Sequence, residues 1–262
     1  MPIVTESFGI PRQRLIAKVA EILRATPEIT LLRLDPGAAG PLRFRAGQYA
    51  QLTFGALPPR DYSIGSRPDE ALLEFHIRDT GDGGSSTYVS RELREGEAVT
   101  VEGPFGRCFL QDDEPGPVLA IAGGSGLAPM KSIIATALTR GFDGEIHLYF
   151  GVRRNRDVYL EEQLQDLSKS HSKFSFDIVV SDEHPAEGYR PGLVTDAIAQ
   201  DHGALSASSA YMAGPPPMVA ATSRLLLQRG LSTARLYADP FLTEAELASQ
   251  DQDRLRSNRS ET

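Results

Sequence analysis

Val118-Leu119-Ala120-Ile121-Ala122-Gly123-Gly124-Ser125-Gly126-Leu127-Ala128-Pro129-Met130 is the stretch on which the fold turns. Five apolar residues without alternation read as a strand buried on both faces, which is the habit of parallel sheets. The glycines then turn the chain into a helix. Pro129 stands where a GxGxxG pattern would have its last glycine, so the match to that pattern is incomplete. A proline in the first helical turn removes no needed amide, and a phosphate could still bind the helix start. A merely tight strand–helix turn would read the same way.

Working toward the C-terminus, strands alternate with helices, the grammar of a parallel sheet with helices on both faces. The expected strands are Val118 to Ala122, Ile146 to Gly151, Phe174 to Val180, Ala210 to Ala213 and Ala234 to Tyr237. The expected helices are Leu127 to Thr139, Leu160 to Lys169, Leu193 to Gln200 and Pro217 to Gln228. Ala213-Gly214-Pro215-Pro216-Pro217 ends a second strand of this sheet, and loops at strand carboxyl ends converge on the ligand crevice. The Gly123 and Gly214 loops are therefore expected to face one site. From Thr243 onward the chain is polar and reads as a tail.

Working toward the N-terminus, the segment Asp112-Asp113-Glu114-Pro115-Gly116-Pro117 reads as a linker. Before it lie short β-branched or aromatic runs, Leu15 to Leu23, Ile29 to Leu34, Tyr49 to Phe54, Leu72 to Ile77 and Ala98 to Val101. Their spacing predicts a small antiparallel barrel, interrupted by one helix at Ser86 to Leu93. The expected domains are residues 12–112, residues 113–242 and a tail, 243–262. Two barrel segments can carry chemistry. In Arg60-Asp61-Tyr62-Ser63, strand alternation puts Arg60 and Tyr62 on one side and Ser63 on the other. In Gly81-Asp82-Gly83-Gly84-Ser85-Ser86-Thr87, glycines lead into hydroxyl residues at a helix start, a cradle for a pyrophosphate or a hairpin turn with a cap, which Asp82 would favour.

The composition excludes several classes. A formal charge of −8 argues against wholesale binding to nucleic acid. No run of apolar residues reaches the length of a membrane helix, and a cytoplasmic protein is expected. One cysteine, Cys108, cannot ligate an iron–sulfur cluster, and five scattered histidines show no zinc spacing. Redox chemistry would need a bound organic cofactor.

Together the motifs resemble the ferredoxin–NADP reductase superfamily, from about Arg14 to Leu242. They are Arg60, Tyr62, Ser63; Gly83, Ser86, Thr87; Gly103-Pro104-Phe105-Gly106; Gly123 to Pro129; Gly151-Val152-Arg153 with Asp157 and Tyr159; and Gly214-Pro215-Pro216. Leu148 to Arg153, Gly192 to Asp196 and Tyr237 to Phe241 look most like the reductase components of naphthalene-type aromatic-ring dioxygenases. The resemblance implies a six-stranded FAD-binding β-barrel followed by a Rossmann-like parallel α/β domain for NADH, with NADPH as the alternative. It implies Tyr62 on the flavin ring, Ser63 near flavin N5, Arg60 on the pyrophosphate, and further flavin contacts from His76, Ile77, Gly83, Ser85, Ser86 and Thr87. On the nucleotide side it implies Gly124, Ser125, Gly126, Arg153, Ser181, Asp182, Gly214, Pro215 and Phe241. In Val180-Ser181-Asp182-Glu183 the two carboxylates would accept ribose hydroxyls and repel a 2′-phosphate, while Arg153 and Arg154 could argue the reverse.

The family's usual cysteine before the Gly-Pro pair is Ala213 here. The electron acceptor implied is a separate [2Fe–2S] ferredoxin of an oxygenase system; Arg43, Arg45, Arg67 or Arg94 could steer it, or could form only a solvated surface. A hydroxylase, cytochrome, quinone or free flavin taking electrons directly, or a flavin-binding redox subunit without turnover, are the alternatives. A monomer or weak dimer is expected.

Overall fold

A computed structural model describes residues 9–81, 83–113 and 116–241. The first sheet contains β1 (Gln13–Arg24), β2 (Ile29–Asp35), β3 (Tyr49–Phe54), β4 (Arg60–Ser63), β5 (Leu73–Arg78) and β6 (Ala98–Phe105), with α1 (Ser85–Arg91) inserted before the last. Its order is β4-β3-β6-β1-β2-β5, antiparallel throughout, and an Ile64–Phe75 bridge brings the two edges together. The barrel is thus nearly closed. Alternation fills its inside: on β1, Leu15, Ala17 and Val19 are buried while Ile16 and Lys18 face out.

The second sheet holds β7 (Val118–Gly123), β8 (Ile146–Val152), β9 (Phe174–Val180), β10 (Arg190–Pro191), β11 (Ser209–Gly214) and β12 (Leu236–Pro240), all parallel, in the order β10-β9-β8-β7-β11-β12. Its helices are α2 (Leu127–Thr139), α3 (Glu161–Ser170), α4 (Val194–Asp201) and α5 (Pro216–Gln228). The chain leaves β7 toward β8 and later returns to the other side for β11. That reversal opens a crevice between the carboxyl ends of β7 and β11. Leu148 and Phe150 of β8 pack toward α2 and α3, and Tyr149 packs toward α4 and α5.

The barrel and the parallel sheet share a seam, because Ile29, Leu31, Ala46, Cys108 and Leu110 belong to the same apolar cluster as α2 and β7. Cys108 is a packed apolar group with its thiol pushed up by burial, so it is not a reactive thiolate.

The expected elements are present, with differences at their ends. The last strand starts at Leu236 rather than Ala234, because Ser232 accepts the Ala234 amide and winds Thr233–Arg235 into a 3-10 turn. β6 runs on to Phe105, whose segment pairs with Tyr49 on β3. β10, two residues long, is too short to leave a pattern in sequence. The tail from Thr243 and residue Asp82 lie outside the described residues.

Candidate functional site

Glycines make the crevice possible. A Cβ on Gly126 would stand 2.1 Å from the Ala213 carbonyl oxygen, and one on Gly123 would stand 2.7 Å from the Pro215 ring and the Met218 sulfur. Gly214, at φ +143°, lies against the Gly123 backbone. The ends of β7 and β11 therefore touch, as expected of two loops facing one site. Gly124 differs: at φ +55° its missing Cβ would meet nothing within 4 Å, and the residue lines a cavity of about 490 Å³. That volume suits a small organic ligand.

Gly123, Gly124, Gly151, Arg153, Ser181 and Pro215 line this cavity from the nucleotide side. Two residues that sequence reasoning missed, Glu28 and Arg78, wall it from the barrel, joined by an ion pair of 2.7 Å. Arg78 follows His76-Ile77 in β5, and strand alternation from His76 was the signal available. At the far rim the Ser181 hydroxyl donates to Asp182 at 2.5 Å and the Arg153 guanidinium donates to it at 3.2 Å. The Ser181 bond, aided by Arg153, holds Asp182 below the ordinary carboxylate range, so it is charged at neutral pH. The Phe241 amide donates to the Gly214 carbonyl, which holds the end of the described chain against the β11 loop.

On the barrel, Tyr62 packs on the interior cluster and pairs across β3 with Ala50, while Ser63 pairs with Tyr49 on the opposite face. The alternation expected of Arg60, Tyr62 and Ser63 is present. The segment after Ser63 is clamped by α2, where Ser132 donates to the Ser66 carbonyl at 2.6 Å. Asp239, at the end of β12, hydrogen-bonds Ser63, and burial together with the neighbouring Asp61 raises its carboxyl to about 6. Burial likewise raises Asp61, and burial with both carboxylates pushes Tyr49 up to about 12. Sequence reasoning missed Asp239, since nothing in Tyr-Ala-Asp-Pro-Phe shows that it reaches the barrel.

At the start of α1 the side chains turn inward. Ser85 donates to the Pro58 carbonyl, Thr87 donates to Asp79 at 2.8 Å, and Ser86 shares a hydrogen bond with Thr80 at 3.0 Å. Among the described residues no side chain caps the helix. A pyrophosphate here would meet the backbone amides beyond Gly83, at φ +78°, more than these hydroxyls.

The Ile77 side chain is in the barrel core, 1% exposed, and the His76 side chain is wholly buried against the nucleotide side, so the flavin contacts expected of these two residues could come only through their backbone. Both follow from β5 being covered on each face. The proposed steering arginines are also largely spoken for. Arg45 pairs with Asp112, Arg67 with Asp69 and Glu70, and Arg94 donates to the carbonyls of Glu92 and Leu93.

Residues 17–109 match the oxidoreductase FAD-binding domain family and residues 120–224 the oxidoreductase NAD-binding domain family. A reductase component of the naphthalene 1,2-dioxygenase/salicylate 5-hydroxylase systems of a Ralstonia species is 39% identical, across 88% of this chain and 70% of that protein. The corresponding component of the naphthalene 1,2-dioxygenase system of Pseudomonas putida is 36% identical, across 87% and 71%. The solved Amycolatopsis cytochrome P450 reductase superposes with a TM-score of 0.83 at 34% identity, across 88% of this chain and 71% of that one. The chain belongs to the ferredoxin–NADP reductase superfamily, the oxidoreductases that join an FAD-binding barrel to an NAD-binding α/β domain. Within it, two relatives at 36–39% identity are reductase components of naphthalene dioxygenase systems, and a third, at 36%, is the reductase subunit of an Amycolatopsis aromatic O-demethylase.

Proposed function

We propose that this protein takes a hydride from NADH onto bound FAD and passes electrons singly to a separate [2Fe–2S] ferredoxin of an oxygenase system. The observation that supports this reading is the crevice itself, where Gly123 and Gly126 lie against residues 213–215 and Gly124 opens onto a cavity walled from the barrel by Glu28 and Arg78. FAD, when bound, supplies the change from two-electron to one-electron chemistry. The residues supply the rest. Arg60 neutralises the pyrophosphate, Tyr62 covers the isoalloxazine and excludes water, and Ser63 holds a hydroxyl toward the ring edge.

The nucleotide phosphates fit the open side of Gly124 and the amides at the start of α2. Phe241, held against the β11 loop, is proposed as a further nucleotide contact. The single cysteine places the receiving cluster outside these 262 residues. Residues 12–112 are proposed as the flavin unit and 113–242 as the nucleotide unit, in a monomer or weak dimer. Among the described residues no helix is long and apolar enough to cross a membrane, and a cytoplasmic location is part of the same proposal.

The purified protein is expected to be yellow, to bleach anaerobically with NADH, and then to reduce an added [2Fe–2S] ferredoxin. A colourless protein that refuses FAD under titration would overturn the reading. Arg60→Ala removes a charge-assisted phosphate contact worth about 1.5–3 kcal/mol, so FAD should bind roughly 10- to 100-fold more weakly. Full flavin content after gel filtration of that variant would count against the assignment. Ionised Asp182 at the cavity rim should make kcat/KM higher for NADH than for NADPH by about an order of magnitude. Asp182→Asn should narrow the ratio, and a wild-type preference for NADPH would reverse the assignment.

A further inference from the structure

A buried polar cluster lies where β5 meets the nucleotide side. The His76 side chain is fully buried, with Nε2 3.1 Å from Glu74 Oε1. Glu74 also receives Lys131 of α2 at 2.6 Å and Arg33 of β2 at 2.9 Å. Burial alone would raise the Glu74 carboxyl, but His76 and Lys131 override it and hold the group ionised. A buried carboxylate demands donors, so a neutral His76 turns Nε2–H toward it and presents Nδ1 as an acceptor.

The Tyr159 hydroxyl lies 2.9 Å from that Nδ1 and 3.3 Å from the Gly124 carbonyl oxygen. The hydroxyl's single proton lies between these two acceptors, so one shared, three-centre hydrogen bond joins the barrel to the loop that lines the cavity. On the other side Lys131 reaches toward the Gly65 carbonyl, just beyond Ser63. A run of polar contacts therefore leads from the nucleotide loop to the flavin strand.

Two observations say that this arrangement serves geometry. Leu160, next to Tyr159, is the one non-glycine among the described residues with positive φ, +58°. Such a conformation persists where the surroundings over-determine it, and here it bends the chain so that Tyr159 points inward ahead of α3. Buried ionic networks are also poor sources of stability compared with apolar packing of the same volume. What they supply is a fixed orientation.

We propose that Tyr159 is a positioning residue, tying the Gly124 carbonyl to His76 of the barrel and so setting the spacing at which the pyridine and flavin rings meet. This rests on the hydride transfer argued under Proposed function. The test is Tyr159→Phe in the FAD-loaded protein, beside Tyr149→Phe, which removes another buried hydroxyl, one bonded to Asp201 and His202. Tyr159→Phe should keep FAD content and the KM for NADH within about threefold while the anaerobic stopped-flow rate of flavin reduction falls about tenfold, since small misplacements of reacting groups are costly. Amide exchange should rise together at residues 123–126 and 65–66. NAD⁺ added to the reduced protein should give a weaker long-wavelength band from the stacked rings.

Tyr149→Phe should lower Tm and leave the rate of reduction alone. His76→Gln breaks the same bond from the barrel side; it should reproduce the slowing, should add little in the double variant, and carries the test alone if Tyr159→Phe fails to fold. An unchanged rate, a loss confined to KM or FAD content, equal slowing by Tyr149→Phe, or multiplicative effects of Tyr159→Phe and His76→Gln would each overturn the proposal. A wild-type protein that NADH does not reduce would sink the functional reading itself, whereas a reducible wild type with an unaffected Tyr159→Phe sinks only this one.

Discussion

Gly126→Ala is expected to destabilise the protein by about 3 kcal/mol or more and to remove measurable NADH binding, from the addition of one methyl group. The new Cβ would stand 2.1 Å from the Ala213 carbonyl oxygen and 2.6 Å from its carbon, with the Gly214 amide nitrogen 3.1 Å away. All three are backbone atoms, so no side chain can rotate aside. The only relief is to part β7 from β11, which breaks parallel pairing along Ser209–Ala213 and opens the junction that cradles the phosphates. Gly124→Ala is the contrast, because its Cβ meets no protein atom within 4 Å. That variant should fold with only the strain of its left-handed φ, about 1 kcal/mol, yet bind the nucleotide more weakly. Thermal denaturation and titration with NAD⁺ distinguish the two. A Gly126→Ala protein with wild-type Tm would show that the junction is looser than drawn.

Asp239→Asn is expected to stabilise the protein above pH 6 and to make little difference below pH 4. The folded carboxyl is raised from 3.8 to about 6 by burial and the nearby Asp61. Between those values the folded state holds a proton that the unfolded state has released, so stability falls as pH rises through this window. Above it the ionised carboxyl costs up to about 3 kcal/mol, less because Asp239 keeps some exposed surface. The amide keeps the Ser63 hydrogen bond without the charge. Denaturant unfolding at pH 4, 6 and 8 should therefore give curves for the two proteins that diverge with rising pH. Parallel curves would mean that Asp239 titrates near its ordinary value and does not crowd Asp61. A natural sequence that tolerates such a cost at its proposed site is consistent with a role for that carboxyl in the reaction.

Most of the fold could be read from local patterns, because buried strands and glycine turns are local matters. Residues 118–130 read in advance as strand, turn and helix, and the chain adopts β7, the 3-10 turn Gly124–Gly126 and α2. Leu127–Thr139 and Phe174–Val180 match the expected bounds. Ala234 to Tyr237 was misplaced by two residues because a serine cap, and not hydrophobicity, decides where β12 begins. His76 and Ile77 were legible as strand residues but not as covered on both faces. The cover over His76 comes from Tyr159, 83 positions away.

By itself the sequence determined the order of elements, the two glycine junctions, the flavin-type strand from Arg60 to Ser63 and the absence of any cysteine set for a cluster. Each depends on backbone freedom or composition, which neighbouring residues settle. Only the tertiary structure decided that Asp239 lies near Ser63, that Glu28 and Arg78 wall the cavity, that Arg45 and Arg67, two of the arginines expected to steer a partner, are ion-paired, and that Tyr159 joins His76 to Gly124. Those facts depend on how the barrel seats against the parallel sheet. Contacts between distant segments leave no periodicity in a single chain.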